Sequence, residues 1–208
     1  TVVNNCHDYQ SVIKRSEEML AFQETTKSTV SVDQLSNVLS GNDTKFISIG
    51  RYSPEKGHVR LMNAFNTYQA SHPDTWLIII GGMGTLYEST CEFAGTLSCS
   101  DHVILLKSMT NPMPVLVSCD FFILSSFYEG QVLVVPEADV LGIPAAACDV
   151  NGARSFLKQY GGTLLPDSED GLLQGMNMFI EGKIKPMNVD YDKRNQEILA
   201  ECEALFLE

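Results

Sequence analysis

Apolar residues fall along the middle of this chain in short blocks separated by longer amphipathic stretches. The blocks are Lys45–Gly50, Trp76–Gly81, Val103–Leu106, Asp120–Ser125, Pro144–Cys148 and Gly162–Leu165. Several are continuously apolar, as in Trp76-Leu-Ile-Ile-Ile80, which predicts strands covered on both faces. Between the first two, Leu61, Met62, Phe65 and Tyr68 recur at three- and four-residue steps. That spacing predicts a helix over Gly57–His72. Thr85–Cys99, Asn111–Ser118, Gln131–Leu141, Ala153–Tyr160 and Ser168–Ile180 fill the other gaps with helical character. Strands alternating with helices across short loops read as a doubly wound parallel α/β sheet. In such sheets ligands sit beyond the carboxyl ends of the strands, so the loops there are the place to look for chemistry.

Two flanks break this rhythm. Asp8–Glu24 reads as an amphipathic helix with Tyr9, Val12, Ile13, Ser16 and Leu20 on one stripe. Tyr191–Phe206 reads as another, aligning Tyr191, Ile198, Cys202 and Leu205. Thr25–Thr44 is polar and weakly patterned, a connector with one short helix near Val32–Leu39.

Composition narrows the classes. The chain has 208 residues, 44% hydrophobic and 19% charged, with a net charge of −12. That is an ordinary globular balance, long enough to bury a real core as one large domain or two small ones. An acidic chain without a Lys/Arg-rich run is a poor partner for nucleic acid or an anionic membrane surface. Its longest apolar runs fall far short of the ~20 residues of a membrane-spanning helix. Thr1 opens the sequence with no signal-like segment behind it, so the start is trimmed or the chain is part of something longer. Six cysteines (6, 91, 99, 119, 148, 202) form no Cys-x-x-Cys pair and sit mostly in apolar segments, as reduced core cysteines of a cytoplasmic protein do. The four histidines (7, 58, 72, 102) lack metal-ligand spacing, and no metal site is expected. Asn42-Asp-Thr44 matches a glycosylation acceptor by chance in a loop.

Three loops carry candidate chemistry. In Phe46-Ile-Ser-Ile-Gly-Arg-Tyr-Ser-Pro-Glu-Lys-Gly57, Arg51 and Lys56 follow a strand ending at Gly50 and precede a helix. Fixed cations beside free backbone N–H groups suit a diphosphate. Two solvated surface cations, one paired with Glu55, are an equal reading of the same residues. Gly81-Gly-Met-Gly84 reads as a tight strand-to-helix turn needing small residues, since it lacks the dinucleotide-binding spacing. The third loop is Ser125-Ser-Phe-Tyr-Glu-Gly-Gln-Val-Leu-Val-Val-Pro-Glu137. Glu129 stands at a strand end, Gly130 allows close approach of a bound molecule, and Glu137 lies about two turns into the next helix, ~10–12 Å along it. Carboxylates so far apart do not share one bond as a hydrolase acid/base pair does. They can hold different hydroxyl-rich parts of one long ligand. Taken alone, the residues favour a capping Glu129 and an ordinary helix-face Glu137.

The combination resembles the retaining GT-B glycosyltransferases of group 1, whose mark is Glu-x7-Glu, here Glu129 and Glu137 between Ser125-Ser-Phe-Tyr and Leu141-Gly-Ile-Pro144. Ser48-Ile-Gly-Arg-Tyr-Ser-Pro-Glu-Lys-Gly57 is similar to that family's diphosphate loop. Ala64-Phe65, His72-Pro73, the Ile-Ile-Ile-Gly-Gly-Met-Gly strand, Cys119-Asp120 and Asp149-Val-Asn-Gly-Ala-Arg154 fall in matching order. The likeness runs from about residue 2 to the C-terminus. It implies a Rossmann-like domain that is the C-terminal half of a GT-B fold. Arg51 and Lys56 would hold the donor's diphosphate and Glu129 the donor sugar's hydroxyls. Glu137 would hold the ribose. Gly50, Gly130 and the backbone of Gln131, Val132 and Leu133 would meet phosphate and sugar, while Lys107 and Ser108 edge the base. It implies a nucleotide-diphosphate sugar as donor substrate, no metal and no other cofactor. In the family's usual account of retention, the leaving phosphate takes the acceptor's proton on the same face. Gln131 replaces the frequent Phe-Gly pair, and Leu106-Lys107-Ser108 replaces a strand-ending Gly, leaving sugar packing and base choice open.

Phe127-Tyr-Glu-Gly, Asn111-Pro-Met-Pro and the tail Phe179-Ile-Glu-Gly-Lys…Asp190-Tyr-Asp-Lys-Arg-Asn195 resemble a bacterial subgroup. In it such a domain follows a CDP-glycerol glycerophosphotransferase-like region, in wall or surface polymer synthesis. The resemblance divides the chain into linker helix and connector (1–44), nucleotide-sugar domain (45–190) and a helix crossing back to the other half (191–208). Asn4-Asn-Cys-His-Asp8 resembles the inter-domain linker. The resemblance implies an N-terminal acceptor domain outside this sequence as the partner. The isolated domain is expected to be inactive, and to be cytoplasmic or held at the inner membrane face through that half. A GT-B nucleotide-sugar 2-epimerase and a non-catalytic Rossmann-type interaction module remain the alternatives.

Overall fold

A computed structural model describes residues 7–23 and 26–207. Its strands are β1 (Lys27–Ser28), β2 (Thr44–Ile49), β3 (Thr75–Gly81), β4 (Val103–Lys107), β5 (Phe121–Leu124), β6 (Ala145–Cys148) and β7 (Thr163–Leu165). They form one seven-stranded sheet in the order β1-β4-β3-β2-β5-β6-β7. From β2 onward all pairings are parallel; β1 alone runs antiparallel, along β4. Consecutive residues such as Phe46–Ser48 and Leu77–Ile80 are buried, so both faces of the central strands are covered. This is the expected doubly wound, Rossmann-like sheet, and each of its six expected strands is present within a residue or so of its predicted ends.

The helices are α1 (Tyr9–Ser16), α2 (Val32–Ser40), α3 (His58–Gln69), α4 (Tyr87–Ala94), α5 (Met113–Val117), α6 (Val134–Val140), α7 (Asn151–Tyr160), α8 (Glu169–Ile180) and α9 (Tyr191–Leu207). Phe46 on β2 anchors the core. Its ring meets Phe65, Tyr68, Phe121 and Phe179 edge-on at 5.4–6.2 Å. Each such pair contributes ~0.5–1.5 kcal/mol beyond its buried area. α2 starts where it does because Ser31 and Gln34 form a reciprocal capping box.

Three elements differ from expectation. α1 stops at Ser16, because Leu20 and Phe22 then pack against the core at a two-residue step that a helix cannot provide. The polar connector contains β1: Thr29 N–H donates to the Leu105 carbonyl at 3.1 Å, and Leu105 N–H to Thr29 Oγ1 at 3.0 Å, covering the β4 edge. α6 begins at Val134, not Gln131, so Gly130–Leu133 is a loop and Glu137 lies in the first turn rather than two turns in. A seven-residue helix starting there leaves the helix end further from Glu129 than the sequence suggests. The described cysteines 91, 99, 119, 148 and 202 are free, with Cys99, Cys119 and Cys148 buried; Cys6 lies outside the described residues, as do Asn4 and Asn5 of the linker-like motif.

The C-terminal helix closes onto the body of the chain. Arg194 Nη1 donates to Tyr9 Oη at 3.1 Å, and the Tyr9 and Tyr191 rings lie 4.2 Å apart. Beyond that clasp, the connection between α8 and α9 is held by Asp139 of α6. Its buried carboxylate accepts from the N–H groups of Met187, Asn188 and Val189 and from the Tyr191 hydroxyl.

Candidate functional site

The strand order reverses between β2 and β5, and a crevice opens beyond their carboxyl ends. That is where doubly wound sheets bind ligands. A cavity of about 240 Å³ lies there. Gly50, Arg51 and Lys56 line it from the β2 side, and Glu129, Gln131, Val132 and Leu133 from the β5 side. Lys56 Nζ donates to Glu129 Oε1 at 2.7 Å, and Ser126 Oγ donates to the same oxygen at 2.5 Å. Arg51 is largely exposed and pairs with Glu55 at 3.0 Å. The structure thus unites the two loops that the sequence set apart, around one carboxylate and two cations.

Glu137, Lys107 and Ser108 stand apart from that cavity. Glu137 does not line it; its Oε1 lies 3.0 Å from His7 Nε2, on the segment leading into α1. Lys107 ends β4 with its ammonium 5.0 Å above the Tyr87 ring. Ser108 takes a left-handed conformation (φ 63°) and donates its N–H to the Gly81 carbonyl at 2.8 Å. Gly130 has open space where a Cβ would sit, so no neighbour in the chain demands glycine there.

Burial pushes the Glu137 carboxyl above its ordinary range, and His7, by charge and hydrogen bond, partly offsets this. The sign follows. A carboxyl raised in the folded state holds its proton better there than when unfolded, so stability is greatest below the unfolded value and falls as pH rises through the folded one. Glu137→Gln removes that penalty. The variant is expected to match the parent's melting temperature at about pH 4 and exceed it by a few degrees at about pH 7. An unchanged difference across that range, read by thermal unfolding, refutes the assignment.

Several supporting residues escaped sequence reading. Buried Arg60 donates through Nε to the Ser125 carbonyl (2.7 Å), through Nη2 to that of Ser126 (2.8 Å) and through Nη1 to Asp167 (2.6 Å). It fixes the strand end from which Glu129 departs. His58 Nε2 lies 3.2 and 3.1 Å from the Gly50 and Arg51 carbonyls, and burial lowers its pKa, keeping it neutral as it steadies the β2 loop. Gly57, at φ 64°, is required because a Cβ would come within 2.3 Å of the Ser125 carbonyl. Gly152 lets α7 approach the Glu129 carbonyl, 2.4 Å from where its Cβ would be. The Gly81-Gly-Met-Gly84 turn wraps Tyr52, whose buried hydroxyl lies 3.0 Å from the Ile79 and Leu106 carbonyls. Among the described residues no group of three or more His, Cys, Asp or Glu is placed to hold a metal, and no helix is long and apolar enough to cross a membrane.

The chain and its fold resemble known glycosyltransferases. The chain is 34% identical over 113 residues to an uncharacterised glycosyltransferase of Methanocaldococcus jannaschii, covering 54% of this chain and 28% of that protein. It is 28% identical over 142 residues to a Campylobacter jejuni N-acetylgalactosaminyltransferase named for a diphospho-undecaprenol substrate, covering 67% of this chain and 38% of the relative. The chain thus spans about a third of the length of these relatives. Its fold is similar to that of Anabaena HepE in complex with UDP and glucose, with a TM-score of 0.73 at 18% identity over 100% of this chain and 56% of HepE. Residues 33–196 match the family described as glycosyl transferases group 1, and since that is most of its length, the chain belongs to that family.

Proposed function

We propose that this chain is the donor-binding half of a retaining glycosyltransferase, moving a sugar from a nucleotide-diphosphate sugar to an acceptor in surface polysaccharide or wall polymer synthesis. The Lys56–Glu129 pair at the switch point carries the reading. A sugar nucleotide presents adjoining diphosphate and hydroxyls, and the site offers a cation and a carboxylate in direct contact. Bound diphosphate draws Lys56 and the exposed Arg51 to its oxygens, and they neutralise the charge that develops as the sugar–phosphate bond breaks. The freed lone pairs of Glu129 accept from sugar hydroxyls. The Gly130–Leu133 backbone donates to phosphate and sugar, Glu137 exchanges His7 for the ribose, and the Lys107-Ser108 edge borders the base. Arg51 and Lys56 meet the diphosphate charge, so the reading includes no metal. Retention follows if the leaving phosphate takes the acceptor's proton on the same face.

The relatives' names support the substrate class: one Escherichia coli relative, 24% identical over 130 residues, is named for UDP-galactose and a diphospho-undecaprenol acceptor. On this reading the Glu-x7-Glu acids serve the donor, 45–190 is the nucleotide-sugar domain, and an N-terminal half joined through 1–44 supplies the acceptor site. The Phe127-Tyr-Glu-Gly and Asn111-Pro-Met-Pro motifs support the subgroup fused to CDP-glycerol glycerophosphotransferase-like regions. The enzyme works in the cytoplasm or at the inner membrane face, and this chain alone binds donor weakly without turnover.

Ligand-observed NMR against UDP-, GDP- and CDP-linked sugars tests the site. Binding of at least one is expected, with Arg51→Ala and Lys56→Ala each abolishing the signal. Unchanged binding in both variants removes the diphosphate assignment. Absence of binding by any of the three favours a docking module instead.

A further inference from the structure

Beside the switch-point crevice lies a second cavity of about 250 Å³, sharing the Gln131–Leu133 loop with it. Arg194 of α9, Tyr9, Gly152, Ser155 and Gln159 line its other sides. No carboxylate lines it, although the chain carries a net charge of −12. Its single charged group is the Arg194 guanidinium, which is 8% exposed. A buried arginine is ordinarily matched by a carboxylate. Arg194 forms no ion pair among the described residues. Its Nη1 donates to Tyr9 Oη, and its Nε is buried without a partner. The Phe156 and Tyr160 rings, 5.5 and 5.8 Å from the guanidinium carbon, offset only part of that cost. The ten-residue α7 lines the same cavity with Gly152, Ser155 and Gln159, and no side chain caps its amino end. An uncapped helix start beside an unmatched guanidinium is the chemistry that an anion requires.

We infer that this cavity is a second anion subsite, in which Arg194 and the α7 amino end receive a carboxylate or phosphate group of a substrate. Identifying the carrier of that group as a substrate rests on the reading of the neighbouring crevice; the anion binding itself does not. A donor whose diphosphate lies on Lys56 passes over Gly130–Leu133, and an acidic group on its sugar reaches Arg194. Alternatively a separate phosphorylated molecule brings the group.

Inorganic phosphate, followed by 31P line broadening with the 208-residue chain, is the direct probe. In the Lys56→Ala background, saturable broadening is expected that disappears when Arg194→Gln is added. Because Arg194 is buried, Ser155→Asp provides a second variant: it places a carboxylate in the cavity with the guanidinium intact and is expected to abolish phosphate binding while raising the melting temperature. UDP-glucuronate against UDP-glucose then separates the sources. A preference of about tenfold for the acid, lost in both variants, places the group on the donor sugar. No preference, with phosphate still binding in the presence of UDP, places it on a second molecule. Phosphate binding that is absent, or that is lost in Lys56→Ala and kept in Ser155→Asp, overturns the subsite. Loss of UDP-glucose binding in Lys56→Ala tests only the crevice.

Discussion

Arg60→Ala is expected to lower folding stability by about 3–5 kcal/mol, the range for removing one partner of a buried charged network. The guanidinium is nearly covered and spends its three nitrogens on two backbone carbonyls and the Asp167 carboxylate. Its plane also lies 3.8 Å from the centre of the Phe127 ring. Alanine leaves the Ser125 and Ser126 carbonyls without donors in a region water does not reach, at about 1–3 kcal/mol each. Asp167 is half in solvent and contributes least. Arg60→Lys restores one point charge and one direction at a time, and is expected to recover less than half of the loss. Urea denaturation of the three proteins measures this directly. A shift below about 1 kcal/mol for alanine would mean that other contacts hold the β5 loop. The consequence for the site is as informative as the stability. Ser126 and Glu129 share a hydrogen bond, so a loosened strand end should weaken donor binding even though Arg60 lines neither Lys56 nor the crevice floor.

The second large effect concerns Asp139. A carboxylate 5% exposed that forms no ion pair among the described residues needs another source of compensation, and here it is three backbone N–H groups and a hydroxyl. Hydrogen bonds to a charged acceptor contribute about 1.5–3 kcal/mol each in favourable cases, although such values do not add. Asp139→Ala is expected to cost about 3 kcal/mol, much of it as local opening of 186–198 rather than global unfolding. Amide exchange in the first turns of α9 should then accelerate about a hundredfold, with β2 and β3 protected as before. Uniform acceleration across the sheet would show instead that α9 and the core unfold together. The same bond explains why burial and the neighbouring Asp139 charge push the Tyr191 hydroxyl far above its ordinary pKa.

The glycine positions show how far local chemistry could be read. The Gly81–Gly84 turn was legible as a tight turn, and Gly81 and Gly84 prove to be close approaches that a Cβ would block; Gly57 is another, which the sequence did not single out. Gly152 was part of a family-like motif without a role, and its role is contact with the Glu129 carbonyl, 23 positions away in the chain. Arg60 carried no local signal at all. It sits on the helix face that the periodicity assigns to polar residues, and only the neighbouring β5 loop turns that face inward.

What the sequence determined by itself was the sheet. Strands covered on both faces must be continuously apolar, so their runs stand out, and the alternating helical stripes then require parallel neighbours. The loops at the carboxyl ends follow from that rule as the place to look for chemistry, whereas a single ligand for Arg51, Lys56 and Glu129 was implied only by the family resemblance. What only the tertiary structure decided was who partners whom. Lys56 meets Glu129 across 73 positions, Glu137 meets His7 across 130, and Asn195 meets His7 across 188. Such pairings depend on where the chain returns, not on any pattern within one element. β1 was invisible for the same reason: a two-residue polar strand is stabilised by the ladder of β4 and Thr29, and nothing in its own side chains announces it.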